Sequence, residues 1–109
     1  MITSVVVSYR VRPEAVEEHV RLIEGIFEQL ATEQPGNVDY QVLRLDDGVS
    51  FVHVSSADTP DGSNPLTELS AFKQFGADIA ARVATPPVPT AADIVGSYRP
   101  VTPIGRMDG

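Results

Sequence analysis

The chain has 109 residues, of which 42% are apolar and 21% charged, and it contains no cysteine. This is the size and composition of one globular domain, and it excludes global disorder, a disulfide framework, cysteine metal sites and thiol catalysis. Fifteen acids against eight bases give a net charge of −7, which argues against nucleic acid and anionic membranes as partners, since both require a basic face.

The opening Met1–Val7 lacks a charged leader region and a long apolar run, and no stretch reaches the ~20 apolar residues that span a bilayer. A cytoplasmic location is expected. Ser4–Val11 is β-branched and aromatic, with Val5, Val7, Tyr9 and Val11 on one face, and reads as the first strand. Pro13 then suits the first position of a helix, and Glu14, Glu17 and Glu18 complement its dipole. Val16, Val20, Ile23, Phe27 and Leu30 form the apolar stripe, and Pro35-Gly36 predicts a stop near Glu33.

Val38–Leu45 reads as a second strand and Val49–Ser55 as a third, joined by the turn Asp46-Asp47-Gly48. After a polar loop, Asn64 and Pro65 make a helix start, and Leu66, Leu69, Phe72, Ile79 and Val83 recur on one face of a second helix. Thr85-Pro86-Pro87-Val88-Pro89 reads as a stiff connector. Ala91–Arg99 is expected to supply the fourth strand. The reading is α+β: a ferredoxin-like βαββαβ domain over residues 1–99, with an antiparallel four-stranded sheet, two helices on one face, and an extended tail over 100–109. Large apolar groups fall on both faces of the strands, Leu43 and Leu45 opposite Tyr40 and Val42 for example. A second copy of the sheet is the economical cover, so a homodimer, a dimeric α+β barrel, is expected.

The order of these pieces resembles the antibiotic biosynthesis monooxygenase-like family of dimeric α+β barrels. The resemblance rests on Tyr9-Arg10-Val11-Arg12-Pro13 leading into an acidic helix, Glu33 to Arg44, Phe51-Val52-His53-Val54, and Ser70 to Phe75. It implies a small pocket between sheet and helices in each subunit. It also implies oxidation of electron-rich phenols or quinols without metal or flavin. The chain departs from the family's active patterns at Ser55, Ala57 and Ala71, and it has no Trp.

His53 is the candidate catalytic residue, because imidazole titrates near neutrality and sits here mid-strand among apolar neighbours. Tyr9, Tyr40 and Tyr98 on three strands are candidate substrate-binding phenols, with Phe51, Phe72 and Phe75 as the hydrophobic wall. His19 reads as a half-exposed residue at the boundary of the first helix. No set of His, Asp or Glu has metal-ligand spacing, and no cofactor motif is present, so neither a metal nor a cofactor is expected. Two functions compete: an oxygenase for a small aromatic phenol or quinol, and a non-catalytic module that binds a small hydrophobic ligand or only dimerises.

Overall fold

The structure, a computed structural model, describes residues 1–98. Its elements are β1 (Ile2–Val11), α1 (Val16–Glu33), β2 (Val38–Arg44), β3 (Ser50–Asp58), α2 (Ser70–Ala77), α3 (Ile79–Arg82) and β4 (Val83–Ala92). Short 3-10 turns at Pro13–Ala15 and Pro65–Glu68 lead into α1 and α2. The sheet order is β2-β3-β1-β4 and every pairing is antiparallel. This is the expected βαββαβ arrangement. The expected tail over 100–109 lies outside the described residues.

The local signals explain most boundaries. Gln34 takes a left-handed conformation and its N–H donates to the Leu30 carbonyl at 2.8 Å, which closes α1 just ahead of Pro35. In the β2–β3 turn, Gly48 has a φ of +79°, open to glycine without steric penalty. The Asp47 carboxylate accepts from the Val49 and Ser50 amides at 3.0 and 2.8 Å, which ties down the turn. Asn64 caps the 3-10 turn as its sequence suggests, accepting from the Leu66 amide at 3.0 Å.

Two expectations require correction. The second helix is not continuous: Leu69 is extended (φ −71°, ψ 133°) and Asp78 interrupts it again, so a 3-10 turn, α2 and α3 replace one long helix. Apolar periodicity ran through both breaks and concealed them. The fourth strand is not Ala91–Arg99 but Val83–Ala92, the proline-rich segment itself. It is an edge strand, where a residue without an N–H removes no ladder bond on its outer side. The register shifts twice, between Ser8 and Arg10 and between Arg10 and Val11 of β1. β4 carries the extra residues as bulges, one opposite Tyr9 and one, Ala84, between the partners of Arg10 and Val11.

The core lies between the sheet and the helices. Tyr9, Val11, Ile23, Ile26, Phe51, Leu66, Leu69, Phe75 and Val83 are its buried apolar members. On the far face, Leu43, Val52, Ser8 and Val88 form one row across β2, β3, β1 and β4, and Val54 pairs with Val6 in the next row. Leu43 is 48% and Val88 60% exposed in the single chain. The alternation anticipated for the first three strands is therefore present, and the outer face carries an apolar patch flanked by polar residues such as Gln41, Ser56 and Thr90.

Candidate functional site

A cavity of about 370 Å³ opens between the sheet and the α2 region, a size suited to a small molecule. Val5, Val7, Leu66, Phe72, Phe75, Ile79, Pro87 and Pro89 give it an apolar wall. Tyr9, Tyr40, His53, Ser55, Asn64 and Thr67 are its polar lining residues. Tyr9, Tyr40 and His53 meet because β1, β3 and β2 are adjacent and these residues point to the helix side; Val42 pairs with His53 and Tyr40 with Ser55. Phe72 stands edge-on to Tyr40 at 6.4 Å between ring centroids, and Phe27 stacks on the other side of Tyr40 at 5.1 Å.

Two residues named from sequence lie elsewhere. Phe51 is buried against Tyr9 (stacked, 5.9 Å) and His19 (4.9 Å), behind the cavity and not on its wall. It points to the same face as His53, but one pleat repeat further from the cavity. Tyr98 follows the last strand and is 92% exposed, away from the other phenols. Its expected position depended on a fourth strand that the chain forms eight residues earlier.

The sequence reading missed His19 and Arg82. His19 is fully buried and Arg82 is 3% exposed. His19 Nε2 lies 2.6 Å from the Tyr9 hydroxyl, which is also 2.6 Å from His53 Nε2. His53 Nδ1 lies 2.8 Å from the Tyr40 hydroxyl. At the far end, Arg82 Nε–H donates to His19 Nδ1 at 3.0 Å, and Nη2 donates to the Phe75 carbonyl at 2.7 Å. The guanidinium also sits 5.2 Å from the Phe75 ring centroid.

The proton positions in this chain follow from the donor at its end. Arginine only donates, so His19 Nδ1 carries a lone pair and His19 Nε2 carries the proton. That proton is donated to Tyr9 Oη. The Tyr9 hydroxyl then donates to His53 Nε2, which places the His53 proton on Nδ1, donating to Tyr40 Oη. The Tyr40 hydroxyl proton has no acceptor among the described residues and lies at the cavity wall. The tautomers are thus assigned by hydrogen-bond logic, and the network presents a donor to the cavity.

Both rings are neutral in this arrangement. Burial pulls His19 from 6.5 to about 4, with the Arg82 charge and His53 adding to the shift. Burial likewise pulls His53 to about 4. Burial pushes both phenols up; for Tyr9, Tyr40 adds to the rise and Arg82 opposes it.

The fold recurs in solved structures. Rv0793 from Mycobacterium tuberculosis superposes with a TM-score of 0.73 at 13% identity, covering 91% of this chain and 100% of that one. The NE2512 protein of unknown function from Nitrosomonas europaea gives 0.71 at 13%, covering 93% and 96%. A mutant of SnoaB, a cofactor-independent oxygenase from Streptomyces nogalater, gives 0.60 at 20%, covering 84% and 92%. At these identities the likeness establishes the fold. No curated protein matches the chain in sequence. Residues 2–56 match the family described as antibiotic biosynthesis monooxygenase, and the chain belongs to that family. The matched span contains Tyr9, His19, Tyr40 and His53 but not Arg82.

Two outcomes follow. Because both histidines stay neutral down to about pH 4 when folded but protonate near 6.5 when unfolded, unfolding takes up protons between these values. Stability is then full above about pH 6.5 and falls toward pH 4, by up to about 1.4 kcal/mol per pH unit for each histidine. Urea unfolding at pH 7.5 and pH 5 measures this, and equal stability at the two values would contradict a neutral pair. Tyr9→Phe leaves a buried N–H on His19 and a buried lone pair on His53 without partners. It should cost about 2–5 kcal/mol in thermal or urea unfolding.

Proposed function

We propose that the chain is an oxygenase for a small, flat phenol or quinol, and that it works without a resident cofactor. The observation that carries this reading is a largely apolar cavity of about 370 Å³ at whose polar end the Tyr40 hydroxyl is oriented by His53. Membership in the antibiotic biosynthesis monooxygenase family and the fold shared with SnoaB support it.

Substrate rings would lie between Phe72, Phe75 and the sheet, with one oxygen at Tyr40. Tyr9 would carry no direct chemical role beyond holding His53. His53 has both nitrogens engaged, so it assists deprotonation by holding Tyr40 as a donor to the substrate oxygen, which stabilises the conjugate base. An anthrone-type phenol releases its proton to solvent water, and the delocalised anion adds O₂ at the ring carbon that is the methylene of the keto form. Protonation gives a hydroperoxide, and loss of one water leaves a carbonyl, so one O₂ is consumed and one H₂O released. Electron-rich anions of this kind react with O₂ without a metal or flavin. The apolar wall limits water access to the intermediates.

A second reading, a non-catalytic binding module, is favoured by one observation: neither ring nitrogen of His53 is free to take a proton. Oxygen uptake with anthrone-type and quinol substrates separates the two. The oxygenase reading expects turnover that falls at least tenfold in His53→Ala. Ligand-induced thermal shifts without oxygen uptake would instead favour the binding module.

We also propose that the apolar outer face of the sheet is covered by a second copy of the chain, in the cytoplasm. The exposed Leu43, Val54 and Val88 lie on this one face, Leu43 and Val88 in a row with Val52 and Ser8, and Val54 beside Val6 in the next row, and such a patch on a monomer would be unusual. Light scattering after gel filtration should give twice the chain mass at micromolar concentration. Val54→Asp should shift it to the monomer, and a monomeric parent protein would refute the assignment.

A further inference from the structure

Arg82 is the one formal charge in the buried network, since His19, His53, Tyr9 and Tyr40 are all neutral at pH 7. It is 3% exposed, and no carboxylate among the described residues lies within ion-pair distance of it. Its recorded polar partners are a neutral imidazole and a carbonyl, with the Phe75 face alongside. A cation buried without an anion is costly. The network it heads ends on a hydroxyl that donates into an apolar cavity. We propose that the cavity binds its ligand as an anion, an ionised phenol or enol, and that Arg82 is the counter-charge, acting through His19, Tyr9, His53 and Tyr40. This rests on the reading of the cavity as the ligand site, and it names the ionisation state of that ligand and a positioning residue outside the cavity.

The class of anion follows from the cavity wall. A carboxylate or phosphate concentrates its charge on few atoms and is held by several charged donors. Here the lining is mostly apolar and its polar members, Tyr40 with Ser55, Asn64 and Thr67 among them, are neutral, which suits a charge spread over aromatic rings. The groups bearing on the bound anion are Tyr40 from β2, His53 from β3, Tyr9 from β1, His19 from α1 and Arg82 from α3. A unit charge acting over roughly 10–15 Å at an effective dielectric constant of about 20 shifts a proton equilibrium by close to tenfold. Alignment of the intervening hydroxyl and imidazole donors adds in the same direction.

The probe is 4-nitrophenol, whose phenolate absorbs visible light while the neutral phenol does not. In the intact protein the bound probe should ionise about one pH unit below the free probe. Arg82→Met should abolish that shift, Arg82→Lys should retain most of it, and Tyr40→Phe should weaken binding of the phenolate at least tenfold. Circular dichroism reports whether each variant is folded. Should Arg82→Met not fold, the parent protein still decides through 4-nitroanisole, which cannot ionise. Preference for the phenol over the anisole must then grow with pH as the phenolate forms. A bound probe that stays neutral, or a shift unchanged in folded Arg82→Met, overturns the counter-charge and leaves the cavity as a ligand site. No binding of either probe at millimolar concentration overturns both.

Discussion

A guanidinium can donate hydrogen bonds but cannot accept one. Because Arg82 Nε–H points at His19 Nδ1, one tautomer is set at the end of the chain, and each later proton has only one place to go. Two imidazoles and two phenols, each able to donate or accept, are thereby reduced to a single ordered arrangement. Reversing it would move the His19 proton to Nδ1 and set that N–H against the Arg82 donor, in a region that excludes water. The same bond explains why two histidines separated by 34 positions in the chain behave as one unit: Tyr9 shares its hydroxyl between them.

The fold supplies this network one residue at a time. β1 gives Tyr9, α1 His19, β2 Tyr40, β3 His53 and α3 Arg82. Only the split βαβ order puts the three strands side by side with both helical segments over one face. The short α3 matters here. A helix continuing past Ala77 would carry Arg82 on a different course, whereas the break at Asp78 and the immediate start of β4 at Val83 bring it beneath Phe75. One bulge of β4 falls opposite Tyr9, and Pro87 and Pro89 of the same strand line the cavity. Segments that break regular periodicity thus lie where the site is built.

That is also why the fold was more legible in the sequence than the site. Strand alternation, the stripe of α1 and the Asp47-Gly48 turn are local patterns, and each predicts its element. The edge position of β4 is not local: nothing in Pro86-Pro87-Val88-Pro89 says that its outer side lacks a neighbour, so the prolines read as a connector and the strand is expected further on. His53 and Tyr40 could be found because strand alternation placed them on the helix-facing side. His19 could have been found as well. It precedes Ile23 by four positions and Ile26 by seven, the spacing of the buried stripe, but a polar residue on an apolar stripe reads as its boundary until a partner is known. Arg82, as the last residue of a helix, reads as a favourable charge on the dipole. Its burial depends on a chain break that no propensity rule encodes.

Burial does two opposite things in this site, and their balance gives the pocket its chemistry. It strips water from both imidazoles and holds them neutral, which removes the ordinary use of histidine as a base at pH 7. It also lowers the local dielectric, which strengthens each hydrogen bond that does form and lets one donor polarise the next. A site arranged this way is poor at taking a proton from a bound molecule and good at holding the molecule after the proton has gone. For a ligand whose anion is the species that meets O₂, the second property is the useful one. Fold alone does not decide that use, since the same architecture serves proteins of different chemistry. The direction of the hydrogen bonds from Arg82 to Tyr40 is the feature of this chain that does bear on it.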